Sequence, residues 1–132
     1  MMMNKRQKIQ SGTKWEKTVG YSRAVRVGNI VEVAGTTAMD GDQLIGKDDA
    51  YAQTKFILEK IEQALGEAGA SLKDVVRTRM YVTNIDEWEA IGRAHGAVFK
   101  DIQPAATMVE VSRLINPDLK IEIEVSAILM SE

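Results

Sequence analysis

The chain has 132 residues, of which 45% are hydrophobic and 27% charged, and its formal net charge at pH 7 is -2. This length and balance are typical of one globular domain with its own core, and the slight negative charge argues against a broad basic surface for nucleic acid. There are no cysteines and one histidine, His95, so disulfides, thiolate catalysis and cysteine zinc sites are excluded, and neither a metal nor another cofactor is expected.

The first 18 residues are mostly polar. They begin with "MMMNKRQKIQ", which is basic but lacks the apolar stretch of a signal peptide. We expect this segment to be partly frayed, apart from a possible edge strand at residues 8–10. No apolar run approaches the roughly 20 residues of a membrane span, so the expected location is the cytoplasm, without a membrane partner. Residues 19–132 are expected to form a single domain.

The first half of this domain predicts a hairpin and then a helix. "YSRAVRVGNIVEVAG" indicates two strands joined at Gly28-Asn29, a pair that suits a two-residue turn. The loop at 36–49 ends with Asp48 and Asp49, either of which can cap a helix. An apolar stripe at helical spacing then runs as far as the stop signal Gly69: Ala52, Phe56, Ile57, Ile61, Ala64, Leu65 and Ala68.

The second half predicts a strand, a helix and two more strands. "VVRTRMYVT" at 75–83 alternates, with one face formed by Val76, Thr78, Met80 and Val82 and the other by Arg77, Arg79 and Tyr81. The next helix is predicted from about 86 to 99, before Pro104 interrupts regular structure. "TMVEVSRL" and "KIEIEVSAILM" follow as strands separated by the turn signal "INPD". One face of this helix is expected to be core apart from its histidine: Trp88, Ile91, His95, Val98 and Phe99.

The predicted order is therefore ββαβαββ, an α+β fold in which both helices pack on one face of a mixed sheet. The covered face should carry apolar side chains: Val109, Val111, Ile121, Ile123, Val125 and Ala127. The opposite face should carry a mixture of apolar and polar side chains: Met108, Glu110, Ser112, Glu122, Glu124, Ser126 and Ile128. A mixed face suits packing against another copy of the chain, with polar clefts left between the copies.

Three segments together resemble the RidA/YjgF family, also called L-PSP endoribonucleases: "GYSRAVRVGNIVEVAG", "AYAQTKFILEKIEQALGEAGASLKDVVRTRMYVTNIDEWEAI" and "PAATMVEVSRLINPDLKIEIEVSAI". The resemblance covers roughly residues 19 to 129. It implies a chorismate-mutase-like fold and a homotrimer whose sheets form a central barrel, with small-molecule clefts between subunits. RidA-type members hydrolyse reactive enamines and imines, such as 2-aminoacrylate, to a keto acid and ammonia.

The resemblance also assigns site residues, one of which is changed. The family's carboxylate-binding arginine lies in a Pro-Ala-Arg-Ser/Thr run, and this chain has Ala106 in its place, followed by Thr107. Glu122 matches the glutamate proposed to position the attacking water, Tyr21 matches a site tyrosine, and Gly35 matches a strand-end glycine. The subgroup implied is one that lacks the RidA-type arginine and is not a classical 2-aminoacrylate deaminase. Gly92 also replaces a common asparagine.

Each assignment has a structural alternative. Glu122 and Tyr21 are assigned to catalysis, but Glu122 could instead pair with an arginine or a backbone amide, and Tyr21 could simply begin a strand. Arg79 is assigned to ligand binding with Gly35, Ala106 and Thr107. It could supply part of the missing positive charge, or it could pair with a strand carboxylate in the trimer. His95 is interpreted as a satisfied histidine at the core or its rim.

Three functions remain open at this point. The first is a hydrolase or deaminase acting on a small imine, enamine or related carbonyl compound. The second is a non-catalytic trimer that binds a small metabolite, with a regulatory role. The third is a ribonuclease, which is the weakest because the chain is acidic, has seven aromatic residues and lacks a histidine pair.

Overall fold

The structure, a computed structural model, describes residues 5–130. The expectations for residues 1–4 and for 131–132 lie outside these described residues. The eight strands are β1 Arg6–Ile9, β2 Ala24–Val27, β3 Ile30–Thr36, β4 Met39–Asp40, β5 Gln43–Leu44, β6 Val75–Val82, β7 Ala105–Glu110 and β8 Ile121–Ile128. The three α-helices are α1 Lys14–Val19, α2 Ala50–Glu67 and α3 Trp88–Phe99.

Six strands form one sheet in the order β1-β2-β3-β8-β6-β7, while β4 and β5 form a separate small hairpin. Neighbours in the large sheet run antiparallel except β6 and β7, which are parallel. Without β1, α1 and the small hairpin, the order is the predicted ββαβαββ. The expected α+β architecture, which resembles the chorismate mutases, is confirmed.

Local signals explain where the main elements begin and turn. Gly28, with φ of 61°, opens the two-residue turn between β2 and β3, and Val27 pairs with Ile30 across it. Asp49 caps α2 by accepting a hydrogen bond from the Ala52 backbone at 3.0 Å. Just beyond α2, Gly69 takes φ of 84°, a left-handed conformation that a helix cannot continue through.

The core lies between the sheet and helices α2 and α3. The inner-face side chains of β8 are almost fully inaccessible: Ile121, Ile123, Val125 and Ala127. The centre of α2 packs against them with Ile57, Leu58, Ile61 and Leu65, and α3 adds Ile91 and Phe99. None of the helices in residues 5–130 has the length and hydrophobicity needed to cross a membrane.

The predicted faces of β8 are confirmed, but those of β7 are wrong. Met108 pairs with Met80 in the parallel register and packs against the core, whereas Val109 pairs with Tyr81 and is 42% exposed. Glu110 likewise has the parity of the inner face, while Val111 and Ser112 lie beyond the end of β7. A shift of one residue moves every side chain of a strand to the opposite face of the sheet. Because β7 is an exposed edge strand, the hydrophobicity of its residues did not predict which of them face the helices.

Two other core predictions are also wrong. Val76 is 43% exposed because the pairing of β6 with β8 shifts register between Val75 and Arg77, which leaves Val76 out of the alternation. Trp88 is 56% exposed because it begins α3, and the buried positions of this helix start one turn later, at Ile91. Phe99 is core, as predicted.

The amino-terminal segment is more regular than expected within its described part. Residues 6–9 form β1 on the edge of the sheet, close to the predicted strand at 8–10, and residues 14–19 form the short helix α1. Thr13 caps α1, and Gly20 ends it with φ of 87°. This helix brings the following residues, 20–23, onto the outer face of the sheet.

A fully buried glutamine fastens α2 to the loop before β8. The Gln53 side chain donates to the carbonyls of Gly46 at 3.2 Å and Asp118 at 3.0 Å, and it accepts from the Lys120 backbone at 2.8 Å. Buried backbone groups need such partners because leaving one unpaired costs about 1–3 kcal/mol. Gln53 therefore holds β8 in its place beside the helix.

We predict that Gln53→Ala lowers the free energy of unfolding by about 2–4 kcal/mol, because the Asp118 carbonyl and the Lys120 N–H lose their partner, whereas the Gly46 carbonyl keeps the N–H of Asp49. Denaturant unfolding followed by circular dichroism measures the change. Gln63→Ala on the exposed side of the same helix is the matched control, and we expect it to lie within about 0.5 kcal/mol of wild type. Equal effects of the two substitutions would contradict this role for Gln53.

Candidate functional site

A β-bulge in β3 creates the centre of the candidate site on the outer face of the sheet. Val33 pairs with Val125 and Thr36 with Ile123, so Ala34 and Gly35 together lie opposite the single residue Glu124. Bulges of this kind often occur beside functional sites. Here the bulge presents the α-carbon of Gly35 to the Glu122 side chain on β8.

Glu122 and Gly35 are in such close contact that any larger residue at position 35 would force the Glu122 carboxylate to move. A β-carbon at Gly35 would lie 2.1 Å from Oε2 and 3.0 Å from Cδ of Glu122. The φ of Gly35 is not in the left-handed region, so the constraint is space and not backbone conformation. The missing side chain is what allows the carboxylate of Glu122 to lie over the strand.

The Glu122 carboxylate is half-buried and forms no hydrogen bond within residues 5–130. Burial raises its pKa above the ordinary value of 4.5, the Arg23 charge opposes this rise, and the neighbouring Glu124 adds to it. A carboxylate in this state holds its proton more readily than an exposed one. It is therefore better suited than an exposed carboxylate to taking up and returning a proton.

Tyr21 is held on the outer face by the end of α1. The backbone N–H groups of Gly20 and Tyr21 both donate to the carbonyl of Glu16, at 2.9 and 3.0 Å. Glu16 is itself buried, and its carboxylate accepts hydrogen bonds from the backbone and the hydroxyl of Ser11. Burial alone would raise its pKa, but these hydrogen bonds, with the Arg23 charge, hold the pKa below 4.5.

Arg23 links Tyr21 to Gly35 and was missed by the sequence analysis. Its guanidinium lies 5.7 Å from the Tyr21 ring centre, and its Nη2 donates to the Gly35 carbonyl at 2.7 Å. Its own backbone is fixed on both sides, since its N–H donates to Ile9 and its carbonyl accepts from Ala34. The signal available in the sequence was its position, two residues after Tyr21 at the start of an alternating strand.

Arg79 and Thr107 lie farther along the outer face. In the sheet register Arg79 lies between Glu124 on β8 and Thr107 on β7. Tyr81 donates to Glu124 at 2.5 Å, and this hydrogen bond raises the pKa of the tyrosine. Arg77 donates to the Thr107 hydroxyl at 2.8 Å. Glu124 and Thr107 thus have partners within the chain, and Arg79 makes no ion pair in the described part of it.

Ala106 lies on the other face of the sheet. It pairs with Thr78, which is fully buried and whose hydroxyl lies 2.9 Å from Nε2 of His95 on α3. Paired residues of parallel strands share a face, so Ala106 shares the inner face with Thr78. Burial lowers the pKa of His95, which stays neutral at pH 7. One chain alone therefore places Ala106 apart from Tyr21, Gly35 and Glu122.

The outer-face site thus combines a half-buried carboxylate, a guanidinium and a phenol around Gly35. A shallow groove adjoins it, lined by Tyr21, Ala34, Glu124, Arg6 and Lys8 among others. No cluster of three or more potential metal ligands occurs among the residues that the structure describes. The chemistry that these groups can perform is proton transfer and the binding of a small polar molecule.

Comparisons with known proteins agree with this fold. Residues 12–129 match the family described as Endoribonuclease L-PSP. The chain is 36% identical over 104 residues to the 3-aminoacrylate deaminase RutC of Acinetobacter baylyi. The matched region covers 78% of this chain and 82% of that relative. An uncharacterized protein of Streptomyces coelicolor is 38% identical over 120 residues, covering 91% of this chain and 90% of that protein.

The solved structure of Rv2704 from Mycobacterium tuberculosis, a member of the YjgF/YER057c/UK114 family, superposes with a TM-score of 0.87. It is 50% identical to this chain and the match covers 95% of this chain and all of that one. Sequence and structure therefore agree, and the chain belongs to the RidA/YjgF family of Endoribonuclease L-PSP proteins.

Proposed function

We propose that this protein is a hydrolase of a small imine, enamine or related carbonyl compound, acting in clefts between the subunits of a homotrimer. The observation that carries the proposal is the Glu122 carboxylate, which is half-buried, has a raised pKa and lacks a hydrogen-bond partner within the described chain. Its oxygens are not among the fully buried unpaired atoms of residues 5–130, so water or a small ligand can reach them.

The proposed reaction uses Glu122 as a general base and then as an acid. Its carboxylate takes a proton from water as the water oxygen bonds to the imine carbon. The proton then passes from Glu122 to the nitrogen, which gives a carbinolamine. Glu122 next takes the proton of the new hydroxyl group and passes it to the nitrogen as the carbonyl bond forms and the carbon–nitrogen bond breaks, so the products are a carbonyl compound and ammonia. Tyr21 is proposed to donate a hydrogen bond to the substrate, and Gly35 leaves the space in which the reacting carbon meets Glu122.

Ala106 sets the limit on the substrate. A guanidinium at this position would bind a carboxylate through two charge-assisted hydrogen bonds, and a methyl side chain provides neither. We therefore propose that the protein belongs to the members of its family without this arginine and is not a classical 2-aminoacrylate deaminase. The relative named 3-aminoacrylate deaminase supports the general chemistry of deamination for the family.

The trimer is supported by the outer face of the sheet. Large apolar side chains on this face are exposed in the single chain, among them Ile30, Val109 and Ile128 at 47, 42 and 38%. Ile30 and Ile128 are partners across β3 and β8. Covering them with further copies of the chain would also enclose the nearby carboxylates. We place this trimer in the cytoplasm.

A non-catalytic, ligand-binding trimer is the alternative, and the observation that favours it is the alanine at position 106. A ribonuclease activity has less support despite the family's description. The chain has one histidine, His95, which lies against Thr78 and Phe99 on the inner face, and its net charge of -2 does not favour RNA. Degradation of RNA that survives Glu122→Gln would have to be assigned to a contaminant or to another site.

The first prediction here concerns assembly. We expect sedimentation at micromolar concentration to give a particle of three times the 14.6 kDa chain mass. Ile128→Asp should shift the particle toward monomers, because it places a charge within the apolar patch of the outer face. Ile115→Asp, at a loop position that is 83% exposed, is the matched control and should remain trimeric. A monomeric wild type would rule out inter-subunit clefts.

The second concerns turnover. Imines and enamines generated in situ should be hydrolysed faster with the wild-type protein, with keto acid and ammonia as the measured products. Glu122→Gln should reduce this acceleration by about 10²–10⁴-fold, the usual contribution of a general acid or base. With 2-aminoacrylate we expect a rate about a hundredfold or more below that of a RidA-type control that has the arginine. No acceleration across the panel would leave the ligand-binding alternative.

The third concerns stability and pH. The folded-state pKa of Glu122 is raised, so its ionisation opposes folding from about pH 4.5 upward. This cost grows until the pH reaches the folded-state pKa and stays constant above it. Glu122→Gln should therefore raise the Tm at pH 7, and the gain should vanish below pH 4.5, where both states are protonated. Glu62→Gln on the exposed side of α2 should show no such gain. A lower Tm at pH 7 would indicate that Glu122 has a structural partner.

A further inference from the structure

Arg23 is unusual among the cations of this protein because its guanidinium is half-buried and incompletely paired. Of its five N–H donors, one bonds to the Gly35 carbonyl through Nη2. Its Nε is inaccessible to solvent and is the one buried side-chain nitrogen or oxygen in residues 5–130 that lacks a hydrogen-bond partner. Its Nη1 makes no hydrogen bond either, and this atom remains accessible.

No carboxylate of the described chain neutralises this group directly. The one ion pair within 4.0 Å in residues 5–130 joins Lys120 to Glu87, far from Arg23 in sequence and on other elements. The positive charge nevertheless acts on its surroundings. It adds to the effect of burial in lowering the pKa of Lys60, and it opposes the raised pKa of Glu122. A half-buried cation that has spare donors and forms no ion pair within 4.0 Å is a site for an external anion.

The geometry around Gly35 gives this anion a position. The Gly35 carbonyl orients the guanidinium, and its α-carbon lies against the Glu122 carboxylate. The two charged groups therefore flank one residue without touching, because their nitrogen and oxygen atoms are more than 4.0 Å apart. A ligand of a few carbon atoms can place an anionic group on Arg23 and its reacting carbon near Glu122.

We propose that Arg23 is the anion-binding and specificity-determining residue of this site, and that the ligand is a small carboxylate whose carboxyl group binds the Nη1 edge of the guanidinium. This inference rests on the proposed function for the location of the site beside Glu122, but it does not require that the protein hydrolyses its ligand. Arg23 supplies its charge from the face of the sheet that carries Glu122, whereas Ala106 lies on the other face. The carboxylate is thus bound from a different direction than by a guanidinium at position 106. A 2-oxo acid such as pyruvate can therefore bind here although 2-aminoacrylate is not placed for fast hydrolysis at Glu122.

Three other cations already donate hydrogen bonds within the chain, so they are less available to an anion beside Gly35. Arg77 donates to Thr107, and Arg26 donates to the backbone of Gly28 and Ala68. Lys60 donates to the carbonyls of Thr37 and Met39. Arg79 lies across β6 beside Glu124, so it is the cation that the experiment must separate from Arg23.

The test measures binding of pyruvate and of its neutral isostere pyruvamide by calorimetry on the full-length protein. Wild type should bind pyruvate at least about tenfold more tightly than pyruvamide. Arg23→Gln should weaken pyruvate binding by about tenfold to a hundredfold, the usual effect of losing a charge-assisted hydrogen bond, and should leave pyruvamide binding unchanged. Arg23→Lys keeps the charge and should retain part of the preference.

Arg93→Gln, an exposed position on α3, is the matched control and should behave as wild type. A wild type without preference for pyruvate, or with no measurable binding of either compound, overturns the proposal. So does a preference that survives Arg23→Gln but is lost in Arg79→Gln. Thermal melts and sedimentation of each variant identify those that do not fold, and for these Arg23→Lys supplies the comparison.

Two outcomes separate this inference from the proposed function. Pyruvate binding that depends on Arg23, in a protein that hydrolyses none of the imines or enamines, supports the inference and removes the hydrolase. Hydrolysis that depends on Glu122 but is indifferent to Arg23→Gln supports the hydrolase and removes the inference.

Discussion

The alternation of β8 is the constraint on which the rest of this structure depends. Its inner side chains, from Ile121 to Ala127, are removed from water at the centre of the sheet, and each fully buried side chain of this kind contributes about 1.5–3 kcal/mol. A slip of one residue would place Glu122 and Glu124 in the core instead, at a cost of several kcal/mol. The packing of the core therefore also determines where the outer carboxylates lie.

The bulge at Ala34 and Gly35 changes the surroundings of the Glu122 carboxylate. A regular β3 would pair residue for residue with β8, whereas the extra residue places a glycine directly against Glu122. The carboxylate loses exposure to water, and this burial raises its pKa. It also comes closer to Arg23, whose charge opposes part of the rise. Such a group lowers the stability of the fold, and proteins retain arrangements of this kind where a site needs them.

Sequence patterns predicted those parts of the molecule in which one strong signal acts alone. The Gly28 turn, the Asp49 cap and the alternation of β8 each follow from local chemistry, and all three were found. The phase of β7 could not be predicted, since an exposed edge strand with one packed side chain, Met108, has no hydrophobic preference for either face.

The site was predictable only in part, for a related reason. Tyr21, Gly35 and Glu122 were proposed through a family resemblance, and the structure brings Gly35 against Glu122 and Tyr21 into the adjoining groove. Arg23 was missed because its significance lies in contacts with Tyr21 and Gly35, 2 and 12 positions away, and in the effect of its charge on Glu122 of a distant strand. A bulge that leaves a guanidinium without its full set of partners is a property of packing, and no spacing in the sequence records it.

The buried Glu16 gives the amino-terminal part of the site its own response to acid. Its folded-state pKa lies below 4.5, so its stabilising effect is complete above that pH and is lost as the pH falls through the folded-state pKa. Protonation there weakens the hold of Ser11 on α1, the helix whose last turn anchors Tyr21. Acid would thus open this short helix as a local unit while the sheet and its two long helices remain folded. The position of Tyr21 would be lost before the fold is, and it would be restored on neutralisation.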